Sequence, residues 1–459
     1  MPQHKRATRR PATPSADSST ISDPRDAAYR HLSAHAARFP DLIPSEINTG
    51  TLDARDAALA HAIVDGALRR WRTLEYVIEL VGGHKGHELE PRMRGVLLGG
   101  ASQLLLLDRV PAHAVLDESV SWAKRYIRHG AGGMVNAILR KVAAVRGEHI
   151  ENAWAHHIDT IPLSEGGSLV LNGIELPEHG RRRLGIACSL PASLLTRWET
   201  MRDDPTAWAM HTLCKPPTVL CTRYAPDIPD FEQLESHDSH DHRIFTGNRQ
   251  QLISVLDATP GMWVQDPAST ATLARIELET TPSRIIDLCA GQGTKTRQLR
   301  AMYPQSEIIA CEVEPKRLGV LRDLFKDDDS VRVVHAERAK EQFVGWADLV
   351  LADVPCSNTG VLARRIEARY RPIDAQLKRL VQTQRSIIQV AADLLGPGGT
   401  LLYATCSMEI EENEANAQWA TGELGFNLRR AARVEVSAQP GDRAGLYQDA
   451  SFSAQLTKP

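Results

Sequence analysis

A chain of 459 residues is long enough for two or three domains that each bury a core. Hydrophobic residues make up 42% and charged residues 24%, and no run approaches the ~20 uninterrupted apolar residues of a membrane-spanning helix, so the composition excludes a membrane span and predicts ordinary soluble material. The net charge of −3 conceals an asymmetry: residues 1–150 carry 21 Lys+Arg against 16 Asp+Glu and the remainder 33 against 41, which makes the first third the better electrostatic contact for a nucleic acid without deciding the matter.

In chain order, residues 1–21 read as a disordered basic tail. Lys5, Arg6, Arg9 and Arg10 lie among Pro, Ser and Thr with no apolar segment behind them, so the stretch is no secretory signal; it is either a solvated end or a contact for a polyanion. Residues 22–146 space their apolar residues at three and four, as in RDAALAHAIVDGALRRWRTLEYVIELV, which predicts an all-α domain of about five helices. Asp23 and Asp53 stand where N-caps would, and Pro91 and Pro111 where helices would begin. Residues 147–215 read as a linker or small irregular element, rich in Gly and Pro up to about Arg182, followed by two short helices near SLPASLLTRWETM and PTAWAMHTLC.

Residues 216–459 form the last unit. After Ser283 short β-branched runs alternate with amphipathic stretches: RIIDL, EIIAC, VRVV, DLVLAD and TLLYAT. Strands separated by helices imply parallel pairing with right-handed crossovers, a doubly wound, Rossmann-like α/β fold. Ligands of such sheets bind beyond the carboxyl ends of the strands, and the chemically interesting residues fall there.

The first strand runs into DLCAGQGTKT, Asp287 to Thr296. Its glycines let backbone approach a ligand, and the helix that follows offers unpaired amides. Thr294 before Lys295 breaks the P-loop pattern, and Thr296 stands where a dinucleotide fingerprint needs its third glycine. The next strand ends in Glu312, an acid able to accept hydrogen bonds from a ribose diol. A nucleoside without a pyrophosphate fits best, S-adenosylmethionine being the common case.

The seven cysteines include no CxxC pair and no Cys/His cluster at zinc-ligand spacing, so no metal site is expected, and their odd number without a secretory signal predicts reduced thiols in the cytoplasm. Two of them follow strands. Cys356 lies in DVPCSNTGVLARRIEARYR and Cys406 in YATCSMEIEENEAN. Singly, each is more readily a buried small residue than a nucleophile. Together they sit where neighbouring strands deliver residues to one crevice.

These motifs resemble those of the RNA (cytosine-5) methyltransferases of the Sun/RsmB type, which act on 16S ribosomal RNA and carry a NusB-like helical domain ahead of the catalytic one. The family's DxCAAPGGKT, DAPCS(G/A)TGVxRR and Y(A/S)TCSxxxxENE stand here as DLCAGQGTKT, DVPCSNTGVLARR and YATCSMEIEENE, and the likeness extends to LLLLDRVPAHAVLDESVSWAK, GMVNAILRKV and SLPASLLTRW. The resemblance implies methyl transfer from S-adenosylmethionine to C5 of a cytosine by a cytoplasmic, monomeric enzyme with no metal. It implies Cys406 as the nucleophile that adds to C6, Cys356 as the thiol that assists release, Asp353 as the group that holds the base, and Lys295 near the reacting ring.

By the same likeness Asp287, Cys289, Ala290, Gly291, Gln292, Gly293, Thr294, Lys295 and Asp353 would line the cofactor site, Glu312 would bind the ribose and Glu337 would lie by the adenine, although Glu337 reads equally as a solvated turn acid. Arg364, Arg365, Arg369, Tyr370 and Arg371 would grip RNA backbone or stack a base, or else form a charged helix face. Departures from the family are Gly291, Gln292 and Thr294 in the cofactor turn, Asn358 and Ile366 after the first cysteine motif, and TVLCTRYA, with Cys221 and Arg223 where the family's LRVN has Arg and Asn. Two rival readings are a DNA cytosine-5 methyltransferase, disfavoured by the second cysteine, and a non-catalytic RNA-binding assembly factor, disfavoured by two converging thiols.

Overall fold

The computed structural model describes Ile21 and residues 23–459; residues 1–20 of the basic tail lie outside the described residues. Six helices, one more than the periodicity predicts, build the first unit: α1 (Pro24–Ala36), α2 (Ala54–Arg69), α3 (Trp71–Gly82), α4 (Pro91–Leu106), α5 (Ala112–Tyr126) and α6 (Ala131–Val145). Asp23 caps α1 by accepting from the Arg25 and Asp26 amides, and Asp53 caps α2 by accepting from that of Asp56. Nearly every residue of α4 is buried because it runs through the middle of the bundle. It passes so close to α1 that a Cβ at Gly99 would lie 2.6 Å from the Tyr29 ring.

The stretch expected to be irregular instead forms a three-stranded antiparallel sheet in the order β1 (Arg146–Ile150), β3 (Ser168–Leu171), β2 (Thr160–Pro162). Strands of three to five residues are too short for periodicity to register. Three short helices follow, α7 (Gly180–Ala187), α8 (Ala192–Met201) and α9 (Thr206–His211). A four-stranded antiparallel sheet comes next, of β4 (Thr218–Cys221), β5 (Leu234–Ser236), β6 (His242–Phe245) and β7 (Trp263–Val264), with α10 (Arg249–Ala258) between its last two strands.

After α11 (Pro267–Ala274) the chain alternates as expected: β8 (Arg284–Asp287), α12 (Thr294–Met302), β9 (Glu307–Glu312), α13 (Pro315–Leu324), β10 (Val331–His335), α14 (Ala336–Gln342), β11 (Ala347–Asp353), α15 (Ile373–Leu394), β12 (Leu395–Thr405), α16 (Glu414–Leu424), β13 (Asn427–Val434) and β14 (Ser451–Thr457). The sheet order is β10-β9-β8-β11-β12-β14-β13, parallel except for the β14 and β13 edge. β8, β11 and β12 are therefore neighbours, and their carboxyl ends face one crevice.

The helical unit shares a core with the segment after β11 and the start of α15. One apolar cluster runs from Tyr29, Leu32 and Trp71 through Leu195 and Trp198 to Leu362, Tyr370 and Leu377. Arginines buried in the seam donate to backbone carbonyls. Arg369 donates to the carbonyls of Arg69 (2.5 Å), Thr212 (3.0 Å) and Cys188 (3.3 Å), so its guanidinium sits where the C-termini of α2, α9 and α7 converge. Three negative dipole ends thus offset a buried cation that has no carboxylate partner among the described residues. Arg69 reaches Cys214 and Ala363, and Arg70 reaches Ala187.

Candidate active site

The crevice at the strand ends opens into a cavity of about 1180 Å³. Its floor is the turn between β8 and α12. The Ala290 amide donates to the Cys311 carbonyl (2.8 Å), and the Gly293 amide closes the turn on the Ala290 carbonyl (2.9 Å). Gly291 and Gly293 have φ of +60° and +91°, backbone that other residues adopt only at a cost. A Cβ at Gly293 would lie 2.6 Å from Leu324, whereas the space above Gly291 is open. Cys289, Ala290, Gly291, Gln292, Thr294 and Lys295 line the cavity, as do Glu312, Glu337 and Asp353.

Asp287 and Gly293 do not line it. The Asp287 carboxylate is fully buried and accepts from the Thr296 hydroxyl (2.6 Å), tying strand to helix beneath the turn. Burial, with a further push from Asp353, raises its pKa to about 7. The expectation of direct cofactor contact is corrected for both residues: they shape the turn from behind.

Glu312 ends β9 with one oxygen accepting from the Val313 and Glu314 amides (2.7 and 2.8 Å), which orients the carboxylate at the cavity wall. Exposed Glu337 pairs with Lys340 at the rim (3.1 Å). A glycine turn opening on free space, with an oriented acceptor carboxylate one strand away, fits a nucleoside such as that of S-adenosylmethionine.

On the opposite wall Lys295 reaches Asp353, Nζ to Oδ2 at 2.7 Å. Burial pulls the Lys295 ammonium down, but the Asp353 carboxylate outweighs it and the net shift is upward. Because Asp353 pairs with Ala404 across β11 and β12, the loops that follow bring Cys356 and Cys406 together, Sγ to Sγ at 3.2 Å. Cys406 also donates to Asn358 Oδ1 (3.4 Å), while the Asn358 amide nitrogen donates to the Cys356 carbonyl (2.9 Å). Asn358 has φ of +63°, a left-handed position Asn tolerates better than most residues. The hydrogen bond with Cys406, then burial, pushes the Cys356 thiol well above its ordinary range. Burial does the same for Cys289 and Cys311.

The stretch expected to grip RNA divides. Arg364 and Arg365 line the cavity, Arg364 held by Asp449 (2.9 Å) and Asp266 (3.4 Å). Arg371 also lines it while donating to the Leu42 carbonyl (3.1 Å). Arg369 and Tyr370 are only 1% and 3% exposed, and the Tyr370 hydroxyl donates to the Leu68 carbonyl (2.5 Å). Both are corrected from RNA contacts to seam residues. Arg223 is occupied by Asp241 and Cys221 is buried in β4.

Sequence reasoning did not single out Asp266 and Asp449, which line the cavity beside Arg364, or the buried network behind the thiols. Asp266, pushed up to about 8 by burial and by Asp449, is also the N-cap of α11. An Asp before Pro267 is a readable cap signal but says nothing of a cavity. Among the described residues no group of His, Cys, Asp and Glu could hold a metal ion, and no helix is long and apolar enough to cross a membrane.

Comparison with known proteins places this geometry. Residues 273–424 match the family model described as 16S rRNA methyltransferase RsmB/F, and residues 23–144 match the NusB family. The ribosomal RNA small subunit methyltransferase B of Salmonella agona is 28% identical over 421 residues, covering 88% of this chain and 91% of that protein. The protein of the same name from Klebsiella pneumoniae (strain 342) is 28% identical over 370 residues, covering 78% and 80%. The crystal structure of PH0851 superposes with a TM-score of 0.69 at 19% identity, over 95% of this chain and 99% of that one, a likeness of fold.

Proposed function

The chain belongs to the RsmB/F family of S-adenosylmethionine-dependent RNA (cytosine-5) methyltransferases and carries an N-terminal NusB domain, and on that premise we propose that it methylates C5 of a cytosine in 16S ribosomal RNA through a covalent Cys406–C6 adduct released with the help of Cys356. The observation that carries this reading is the pair of thiols 3.2 Å apart, delivered by adjacent strand ends to the cavity that also holds Lys295 and Asp353.

C5 of cytosine is a poor nucleophile. Addition of the Cys406 thiolate at C6 forms an S–C6 bond and moves the ring electrons toward C5, which splits one hard step into easier ones. Asp353 would hold the base through N3 and its exocyclic amine, and Lys295, already bonded to Asp353, would orient that carboxylate. When bound, S-adenosylmethionine supplies the methyl group. Loss of the C5 proton to a base then restores the ring double bond and breaks S–C6. Cys356, kept in its proton-carrying form beside Cys406, is suited to protonate the departing sulfur.

On this reading Cys289 through Gln292, with Thr294, Lys295 and Asp353, line the cofactor, Glu312 takes its ribose, Glu337 its adenine, and Arg364, Arg365 and Arg371 meet the RNA strand that presents the unstacked base. Residues 22–146 serve as an RNA-contacting arm, 147–215 as a connecting subdomain and 216–459 as the catalytic domain of a monomer.

Incubation with methyl-labelled S-adenosylmethionine and either unmethylated 16S RNA or DNA tests the reading. Label is expected on C5 of an RNA cytosine, absent in Cys406→Ala, with a covalent protein–RNA adduct accumulating in Cys356→Ala. Label on DNA, or full activity in Cys406→Ala, would overturn it.

A further inference from the structure

Behind the two thiols lies a buried polar network that the reaction itself does not use. Glu412 is completely buried and, among the described residues, forms no ion pair, an expensive arrangement for a carboxylate. Its oxygens accept from the Ser357 amide (2.9 Å), the Ser357 hydroxyl (2.5 Å) and Gln384 Nε2 (2.8 Å). Gln384 Nε2 also donates to the Pro355 carbonyl (2.9 Å), so the peptide groups on both sides of Cys356 are fixed by Glu412 and Gln384. Two N–H groups meet one oxygen of Glu412 and the Ser357 hydroxyl meets the other, so a Gln at 412 would turn its NH2 toward Ser357 Oγ and force that hydroxyl to accept where it now donates.

The next residue serves the other cysteine. Asn413, also fully buried, accepts from the Thr405 hydroxyl (2.6 Å) and donates to the Ser407 carbonyl (2.9 Å), gripping both neighbours of Cys406. The two halves meet where the Ser357 and Ser407 hydroxyls lie 3.0 Å apart, which accounts for a serine after each cysteine.

We propose that Glu412 and Asn413 are positioning residues that divide the thiols between them, Glu412 seating Cys356 for release of the covalent adduct and Asn413 seating Cys406 for its formation. This rests on the roles assigned above to the two cysteines. Two adjacent residues in one network should therefore produce opposite phenotypes, which a merely structural role would not.

The test uses full-length protein, unmethylated 16S RNA and methyl-labelled S-adenosylmethionine, with turnover and denaturation-resistant protein–RNA adduct measured for Glu412→Gln, Asn413→Ala, Cys356→Ala and Cys406→Ala. Glu412→Gln should lose about tenfold or more in turnover while adduct rises several-fold and KM for S-adenosylmethionine stays within about twofold. Asn413→Ala should lose turnover and adduct together by about tenfold. If Glu412→Gln does not fold, Ser357→Ala, which removes one donor to Glu412 but keeps the backbone bond, should show a smaller rise in adduct. Equal loss of adduct in the Glu412 and Asn413 variants, or wild-type turnover in both, overturns the proposal. If Cys356→Ala accumulates adduct and neither Glu412→Gln nor Ser357→Ala does, the positioning role alone fails. If Cys356→Ala itself accumulates none, the assignment of Cys356 fails and takes the proposal with it.

Discussion

Replacement of Arg369 by Met separates a seam residue from an RNA contact. The guanidinium donates to three carbonyls at three helix ends, and each carbonyl left buried without a donor costs about 1–3 kcal/mol. The sum is an upper scale, because Met fills much of the volume and removing the cation relieves its desolvation, which already pulls the Arg369 pKa down to about 10. A net loss of about 2–4 kcal/mol is expected, set by the carbonyls left without a donor and below their summed cost. Urea unfolding followed by tryptophan fluorescence reads it as a lower midpoint, since Trp71 and Trp198 report on the same shared core. At a temperature where the variant stays folded, its KM for RNA should match wild type. An unchanged midpoint with a raised RNA KM would refute the burial argument and restore Arg369 as an RNA contact.

Asp287, raised from its ordinary 3.8 to about 7, binds a proton in the folded protein that the unfolded chain has lost over that interval, so its contribution falls as pH rises from about 4 to 7. Asp287→Asn should therefore gain stability relative to wild type at pH 8 compared with pH 4, measured by urea midpoints at each pH; a pH-independent difference would count against it. Gly293→Ala should cost about 1–2 kcal/mol for its left-handed backbone, with more from the contact with Leu324, and weaken S-adenosylmethionine binding measured by calorimetry. Arg197 pairs with fully buried Glu409 (2.8 Å) and with Glu411 (2.6 Å). Without that cation Glu409 would be held protonated by burial, so Arg197→Ala should be more destabilised at pH 8 than at pH 5 in thermal scans, and equal losses at both would refute the pairing.

The five parallel strands were legible because each is a β-branched run bounded by turn residues. That Cys356 and Cys406 share a crevice followed from two motifs placed after strands that a doubly wound sheet sets side by side. What escaped was tertiary. Arg364 to Arg371 reads as one charged stretch, and nothing local distinguishes Arg365, at the cavity, from Arg369, solvated by helix ends contributed from Arg69, Cys188 and Thr212. The small sheets escaped because strands such as β7, two residues long, carry no period. Glu412 and Asn413 were visible within a motif, but their division between two loops exists only once both loops are folded.

On the function proposed above, the arginine seam also bears on how RNA would be chosen. A domain on a flexible linker helps capture through effective concentration, which varies with linker length and tolerates many spacings between the two contact points. Here the arm is fixed to the catalytic domain by a common core and by carbonyl clamps, one of which ends at Ala363, seven residues from Cys356. A rigid arm acts as a caliper: an RNA that touches it and the cavity together must already present those points at the separation the protein imposes. Selection would then fall on the folded shape of the RNA around the cytosine, and softening the seam would widen the range of RNAs accepted before it slowed the chemistry.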